Sequence, residues 1–276
     1  MATARKTRET AVPAAAERQA KKKLRQGIIL LIIILLLMIG CGVLLWYLNS
    51  RLFEKNPRFT LQNIEIISSG FWGKNAENRS ALVRKLDLKI GKDNLFGLNF
   101  VKLRQDLRSM PNVADAQVRM QLPDKITIEI EERVPRAFLG RSNSDLVVDA
   151  NGMVMTASQC FGVHPKLPVI VGFSRRGVRP GLIQPALHEA LALIMSVQQH
   201  DCFSVALVGL NHNENLTVFM DYHTKNMKRR YHVTMPRGNY RELLDILRSA
   251  IEDALRHKDD RKNINLTFDG AVVMSR

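Results

Sequence analysis

The sequence predicts a single transmembrane helix followed by an α+β region exported across the membrane. Three observations support this prediction. A basic N-terminal tail precedes a long uncharged apolar run at residues 27–48. Strand and helix patterns in the order β-α-α-β-β follow at residues 59–134. A longer, strand-rich segment with two helical patterns occupies residues 135–276, and we expect it to form a second, mixed-sheet domain with two helices.

The N-terminal tail, residues 1–26, carries eight lysines and arginines against two glutamates and has no hydrophobic periodicity. We therefore expect it to be disordered. The run GIILLIIILLLMIGCGVLLWYL is long enough to cross a bilayer core of about 30 Å as a helix. Because clustered Lys and Arg favour the cytoplasmic side, the tail should stay inside and the C-terminal bulk should be exported.

A cleaved signal peptide is the alternative interpretation of this run. Its apolar region would span about 7–15 residues and end in small residues at the cleavage site. This run is longer and ends in WYLNSRLF, which favours an uncleaved anchor.

The first exported module begins with a strand in FTLQNIEII and continues with two short helices in NRSALVRKLDL and NFVKLRQDLRSM. Two strands, VADAQVRMQL and ITIEIEER, are then joined by a Pro-Asp-Lys turn. In the second of these strands, isoleucines alternate with Thr127, Glu129 and Glu131. This alternation predicts one face packed on the helices and one face in water.

The second exported module begins with a hairpin around the Asn-Gly of DLVVDANGMVM and a short strand in LPVIVG. A helix at 181–200 and three strands, FSVALVGLN, ENLTVFMDY and YHVTMP, come next. A second helix, with Asn239 as its expected N-cap, precedes a closing strand in NINLTFDGAVVM. The pattern predicts one open sheet backed by two helices.

The whole chain carries a formal charge of +15, of which the tail holds only part. Export argues against a nucleic-acid partner. The basic clusters at 175–179 and 225–230 either contact an acidic partner or are solvated loops.

No catalytic, metal or cofactor site is predicted. Cys160 and Cys202 could pair in an oxidising compartment, although sequence does not show whether they meet. The His200 and Cys202 pair and the Cys160 and His164 pair lack the usual structural-zinc spacings. Gly-x-Ser-x-Gly, His-Glu-x-x-His and phosphate-binding glycine loops do not occur, which argues against an anchored hydrolase.

Six stretches follow the apolar run in a fixed order: GKDNLFGLNF, MPNVADAQV, LPDKITIEIEERVPRAF, LVVDANGMVM, LPVIVGF and INLTFDGAVVM. Through these stretches and their order, the chain resembles the FtsQ/DivIB family of bacterial cell-division proteins over about residues 20–276. The resemblance implies that 59–134 is a POTRA domain and 135–276 the C-terminal β domain of the family. The family's last strand commonly reads Asp, Leu, Arg, Tyr and soon Gly, whereas this chain has Asn265, Leu266, Thr267, Phe268 and Gly270. Side-chain contacts there should therefore differ, although a backbone role can persist.

The resemblance further implies a membrane-anchored scaffold of the division machinery, located at the septum in the bacterial inner membrane. Its implied partners are an FtsB/FtsL-type complex, with a link to septal peptidoglycan synthesis. The alternative is a POTRA-containing export or outer-membrane assembly factor, a class that usually carries several such modules or a β-barrel.

The predicted partner-binding site is the closing strand from Ile264 to Met274. We expect it to lie at an open sheet edge, where unpaired backbone groups can accept an extended segment of a partner. Phe268 either anchors that contact or faces the core. The site residues are Asn265, Leu266, Thr267, Phe268, Asp269, Gly270, Ala271 and Val272.

Overall fold

A long N-terminal helix leads into two folded regions in the computed structural model, which describes residues 14–210, 215–225, 227–268 and 271–275. Helix α1, Ala14–Asn49, continues into a π-helical turn at Ser50–Glu54. Within the described residues, this is the one helix long and apolar enough to cross a membrane, and its apolar side chains are exposed. A bilayer would cover them.

Helix α1 begins well before the apolar run, so the expectation of disorder is wrong for residues 14–26; residues 1–13 lie outside the described part of the chain. The segment is rich in Ala, Lys, Arg, Glu and Gln, which are the strongest helix formers. Because it extends a helix that already exists, it needs no new helix nucleus.

The first folded region contains a three-stranded sheet in the order β1-β3-β2, with β1 parallel and β2 antiparallel to β3. The predicted β-α-α-β-β order is confirmed, with one additional four-residue helix after the first strand. The elements are β1 Asn63–Ile67, α2 Phe71–Lys74, α3 Ala76–Lys85, α4 Phe100–Arg108, β2 Val113–Gln121 and β3 Lys125–Glu132.

The isoleucine face of β3 packs into the core of this region, as its alternation predicts: Ile126, Ile128 and Ile130 are buried with leucines of α3 and α4. The opposite face is less open than expected, because Thr127 is also buried. Because β3 is the central strand, Thr127 lies between Glu65 of β1 and Arg119 of β2. The Thr127 hydroxyl donates to Glu65 Oε2 at 3.4 Å.

The last residue of β3, Glu132, holds the beginning of helix α2. Its carboxylate accepts hydrogen bonds from the backbone N–H of Phe71 at 2.7 Å and of Trp72 at 2.8 Å. The Ser68 hydroxyl donates to the same carboxylate at 2.5 Å. Glu132 therefore satisfies amides that the first turn of a helix leaves unpaired.

The second folded region is a nine-stranded sheet in the order β12-β11-β10-β9-β8-β7-β4-β5-β6. Two helices, α5 and α6, pack on one of its faces, as the sequence predicts. The elements are β4 Ala137–Leu139, β5 Leu146–Val148, β6 Val154–Thr156, β7 Val169–Val171, α5 His188–Val197, β8 Phe203–Leu210, β9 Asn215–Thr224, β10 Met227–Pro236, α6 Tyr240–Arg256, β11 Asn263–Phe268 and β12 Ala271–Ser275.

Asn239 does not cap helix α6 as expected. Its backbone is left-handed, with φ of 48°, and its side chain makes no capping hydrogen bond. An N-cap side chain reaches the helix amides from extended backbone, which Asn239 does not have.

Arg133, directly after β3, joins the two regions. Its Nη1 contacts Asp149 Oδ2 at 2.8 Å, and its Nε donates to the carbonyl of Val113 at 3.1 Å. A second link runs from Asn112 Nδ2 to the carbonyl of Gln159 at 2.7 Å. Asp149 and Asn112 are both buried, so these contacts are shielded from water.

Candidate functional site at an open sheet edge

Strand β12 ends the nine-stranded sheet. Among the strands that the structure describes, it has a neighbour on one side only, the antiparallel strand β11. An edge strand presents outward-facing N–H and C=O groups that an extended segment can pair with. Its side chains alternate between exposed and half-buried, so the strand lies open along its length.

The single closing strand that the sequence predicts is wrong, because Ile264–Met274 divides into the hairpin of β11 and β12. Asn263, Ile264 and Asn265 have strand partners on both sides, in β10 and in β12. Their backbone groups are therefore used within the sheet. The intervening Asp-Gly is a dipeptide typical of two-residue hairpin loops, so the sequence did contain a signal for this division.

The structure therefore separates the predicted site residues. Ala271 and Val272 lie on the edge strand, whereas Leu266 is buried in the core below it. Asn265, Thr267 and Phe268 belong to the inner strand β11. Asp269 and Gly270 lie outside the described residues.

A groove of about 400 Å³ lies beside the edge, between helix α6 and the β11–β12 hairpin. The sequence did not decide whether Phe268 faces the core or a partner. In the structure Phe268 is 54% exposed and lines this groove. Ile246 of α6 lines the other wall and is 41% exposed. The groove combines the apolar side chains of Phe268 and Ile246 with a polar part, and it lies next to the open side of β12. Its lining residues are Pro236, Arg237, Gly238, Asn239, Glu242, Leu243, Ile246, Leu266, Phe268, Ala271 and Val272.

Arg261 fastens the end of the edge strand. Its Nη1 donates to the carbonyl of Met274 at 2.9 Å, and its Nε donates to Asp259 Oδ2 at 2.7 Å. The hydrogen bond from Arg261 lowers the pKa of Asp259 to about 2. Since the Met274 carbonyl already accepts a hydrogen bond from Arg261, an added strand would form its backbone hydrogen bonds nearer Ala271. No sequence pattern singled out Arg261.

The basic cluster at 225–230 is a loop only at Lys225, which lies in a turn, because β10 already begins at Met227. Lys228 and Arg230 contact the buried carboxylate of Asp221 across the β9–β10 ladder, at 3.0 and 2.7 Å. The hydrogen bonds from Arg230 lower the pKa of Asp221, and Lys228 adds to that effect. These cations therefore have a partner within the chain, whereas Arg175, Arg176 and Arg179 are exposed between β7 and α5.

The cysteines outside the membrane helix, Cys160 and Cys202, are free thiols in this structure. Burial raises the pKa of Cys160 to about 12, and burial also raises the pKa of Cys202. Across the described residues, no group of three or more His, Cys, Asp and Glu side chains comes together as metal ligands would.

One part of the chain matches a known protein domain. Residues 72–133 match the family model described as "POTRA domain, FtsQ-type". With helix α1, this match indicates a single-pass membrane protein that carries a POTRA domain.

Three similar proteins are named as cell division proteins. The chain is 27% identical over 113 residues to the cell division protein DivIB of Clostridium tetani, covering 41% of this chain and 40% of that protein. It is 25% identical over 195 residues to the cell division protein FtsQ of Koribacter versatilis, covering 67% and 54%. It is also 31% identical over 88 residues to the FtsQ of Syntrophotalea carbinolica, covering 32% and 30%.

Each match thus spans less than two thirds of the relative's length. Together, the domain match and these relatives support assignment of the chain to the FtsQ/DivIB family.

Proposed function

We propose that the protein is a membrane-anchored scaffold of bacterial cell division, which acts by binding other division proteins and not by catalysis. The FtsQ-type POTRA match and the relatives named as cell division proteins support this role. The observation that carries the binding mechanism is the open edge at β12, beside a groove that Phe268 and Ile246 line.

The proposed topology places the basic tail in the cytoplasm and both folded regions outside the inner membrane, with enrichment at the division septum. The excess of Lys and Arg before the apolar run supports this orientation. A fluorescent fusion should form a midcell band, and uniform membrane fluorescence would instead favour an export or assembly role.

The proposed partners are an FtsB/FtsL-type complex, one member of which adds an extended segment to β12. Backbone hydrogen bonds to the edge strand would supply affinity, and side chains pointing into the groove would supply specificity. An aromatic side chain that becomes buried at the centre of such a contact can contribute much of the binding energy, which assigns Phe268 the role of an anchor.

Two exposed phenylalanines of the same domain provide a matched test of this binding site. Phe268→Ala should weaken partner binding by about 2 kcal/mol, or about thirtyfold, because it removes the anchor. Phe219→Ala is the control: Phe219 is 39% exposed, but it points away from the helices, since its neighbours Val218 and Met220 are in the core. If both variants bind the purified partner with equal affinity in a titration, the groove does not take part in binding.

Removal of the edge strand tests the mechanism more severely. Deletion of residues 271–276 should abolish capture of the partner complex, while the POTRA domain keeps its own core. The intact POTRA domain can be checked by protection of its amides from hydrogen exchange. Retention of the partner by the deleted protein would show that binding uses another surface.

Depletion of the protein in its host tests the cellular role. We expect filamentous or chained cells with little new wall at midcell, because the scaffold would link its partners to septal peptidoglycan synthesis. Normal septation after depletion would contradict a role in division.

A further inference from the structure

The POTRA domain is fastened directly to the end of the membrane helix. The rings of Phe53, Phe59 and Phe96 form a cluster with centroids 4.9 to 6.1 Å apart. Asn94 Nδ2 lies 3.0 Å from the carbonyl of Phe53 and 3.2 Å from that of Asn56. The loop that precedes helix α4 is thus attached to the residues that leave the bilayer.

This attachment sets the height of the domain above the bilayer. Phe53 lies five residues beyond Leu48, the end of the apolar run, so it is at most about 8 Å further along the helix axis. Headgroups occupy about 5–8 Å on each side of the hydrocarbon core. The end of the POTRA domain that contacts Phe53 therefore lies at headgroup level.

Two loops meet at this membrane-proximal end. The N–H of Leu61 donates to the carbonyl of Asp93 at 2.8 Å, which holds loop 89–93 beside the beginning of β1. The N–H of Gln62 donates to the carbonyl of Asp124 at 2.8 Å, which holds the β2–β3 turn there as well. Since β1 and β3 are parallel, both strands begin at this end.

Each of these loops carries an exposed apolar side chain. Ile90 is 53% exposed in the first loop, and Leu122 is 59% exposed in the turn. Neither belongs to the core of the domain. Single exposed apolar residues are common, but two that share the end of a domain facing a bilayer are placed to be covered by lipid.

Charge does not account for this surface. The segments around it hold six cations and five carboxylates, which nearly cancel. These are Arg51, Lys55, Arg58, Lys89, Lys92 and Lys125, against Glu54, Glu65, Asp87, Asp93 and Asp124. Any attraction to lipid must therefore come mainly from the apolar side chains and not from anionic headgroups.

We propose that the POTRA domain docks end-on to the bilayer, with Ile90 and Leu122 inserted between the lipid headgroups beside helix α1. The domain then has a fixed height and orientation on the membrane. Through the Arg133–Asp149 contact, this placement extends to the second domain and its open edge.

The test uses the full chain in lipid nanodiscs, with Cys41, Cys160 and Cys202 replaced by Ser. A single cysteine at Ile90→Cys or Leu122→Cys carries an environment-sensitive fluorophore, and the lipids carry a quencher at the top of the acyl chains. Ile67→Cys is the matched control, because Ile67 is 49% exposed but ends β1 at the far side of the domain. Quenching should be severalfold greater at positions 90 and 122 than at position 67.

Equal quenching at all three positions, or none at 90 and 122, would overturn the proposal. Leu122→Asp should also reduce the quenching of a probe at position 90, whereas Ile67→Asp should leave it unchanged. Both replaced side chains are exposed, so the core is retained. Zwitterionic and anionic nanodiscs should give the same result. If quenching requires anionic lipid, the contact is electrostatic, and the proposed insertion of apolar side chains is wrong.

Discussion

The joints at Glu132 and Asp149 and the hairpin at the C-terminal end use carboxylates in different ways. Glu132 is half-buried and Asp149 is buried, and together they hold a helix, a hairpin turn and the contact between the two domains. At the C-terminal hairpin, Asp259 and Arg261 pair at the surface, and β12 keeps one side open. The two joints thus use their polar groups within the chain, whereas the proposed binding edge has one side of β12 without a neighbouring strand among those described.

The largest expected effect that tests this comparison is at Glu132. Glu132→Ala removes the acceptor of three hydrogen bonds, two of them from backbone amides at the beginning of α2. We expect it to lower the free energy of unfolding of the POTRA domain by about 2–4 kcal/mol. Amide hydrogen exchange at Phe71 and Trp72 should accelerate accordingly. The neighbouring exposed residue is the control, since Glu131→Ala should change stability by no more than about 0.5 kcal/mol.

The next effect concerns the contact between the domains. Asp149→Asn keeps an acceptor for the amides of Asn151 and Met153 but removes the charge that faces Arg133. Because the carboxylate is buried, we expect a loss of about 2–3 kcal/mol, together with faster proteolysis between the domains. Asp253→Asn, at an exposed position of α6, should change neither measurement. An unaltered cleavage rate in Asp149→Asn would show that the domains are held by other contacts.

A smaller effect is expected at Asp221, whose cationic partners are exposed. The free energy of unfolding should fall by about 1–2 kcal/mol in Asp221→Asn. Since the folded pKa of Asp221 is lowered, its contribution is complete above the usual Asp range and is lost as the pH falls through the lowered value. Acid unfolding should therefore be less steep in the variant than in the native protein. If the free energy of unfolding falls equally with decreasing pH in both proteins, Asp221 does not contribute to acid-dependent stability.

The smallest effect is expected at Arg261, because its ion pair with Asp259 is at the surface. Arg261→Gln should leave global unfolding unchanged and should speed amide exchange only in β12. Arg248→Gln, which removes an exposed ion pair within α6, provides a comparison that should not alter β12. A large loss of global stability in Arg261→Gln would mean that the edge hairpin is as tightly fastened as the domain junctions.

Local patterns made much of the fold predictable. The uncharged apolar run indicates the membrane helix, and alternation of isoleucines in β3 indicates which face is packed. Helical spacing of leucines finds α4 and α6, and Asn-Gly finds the β5–β6 hairpin. Each of these signals depends on residues within a few positions of one another, so it can be recognised without knowing which distant residues are in contact.

The sequence by itself therefore determined the long apolar helix, the β-α-α-β-β order of the first folded region and the absence of familiar catalytic motifs. Only the tertiary structure decided that β12, and not Asn265–Phe268, is the open edge. It also decided that Glu132 caps α2 and that Lys228 and Arg230 pair with Asp221. The physical reason is common to all three. Strand order and side-chain partners depend on contacts between residues far apart in the chain, and no local period records which distant strand or helix end will be the neighbour.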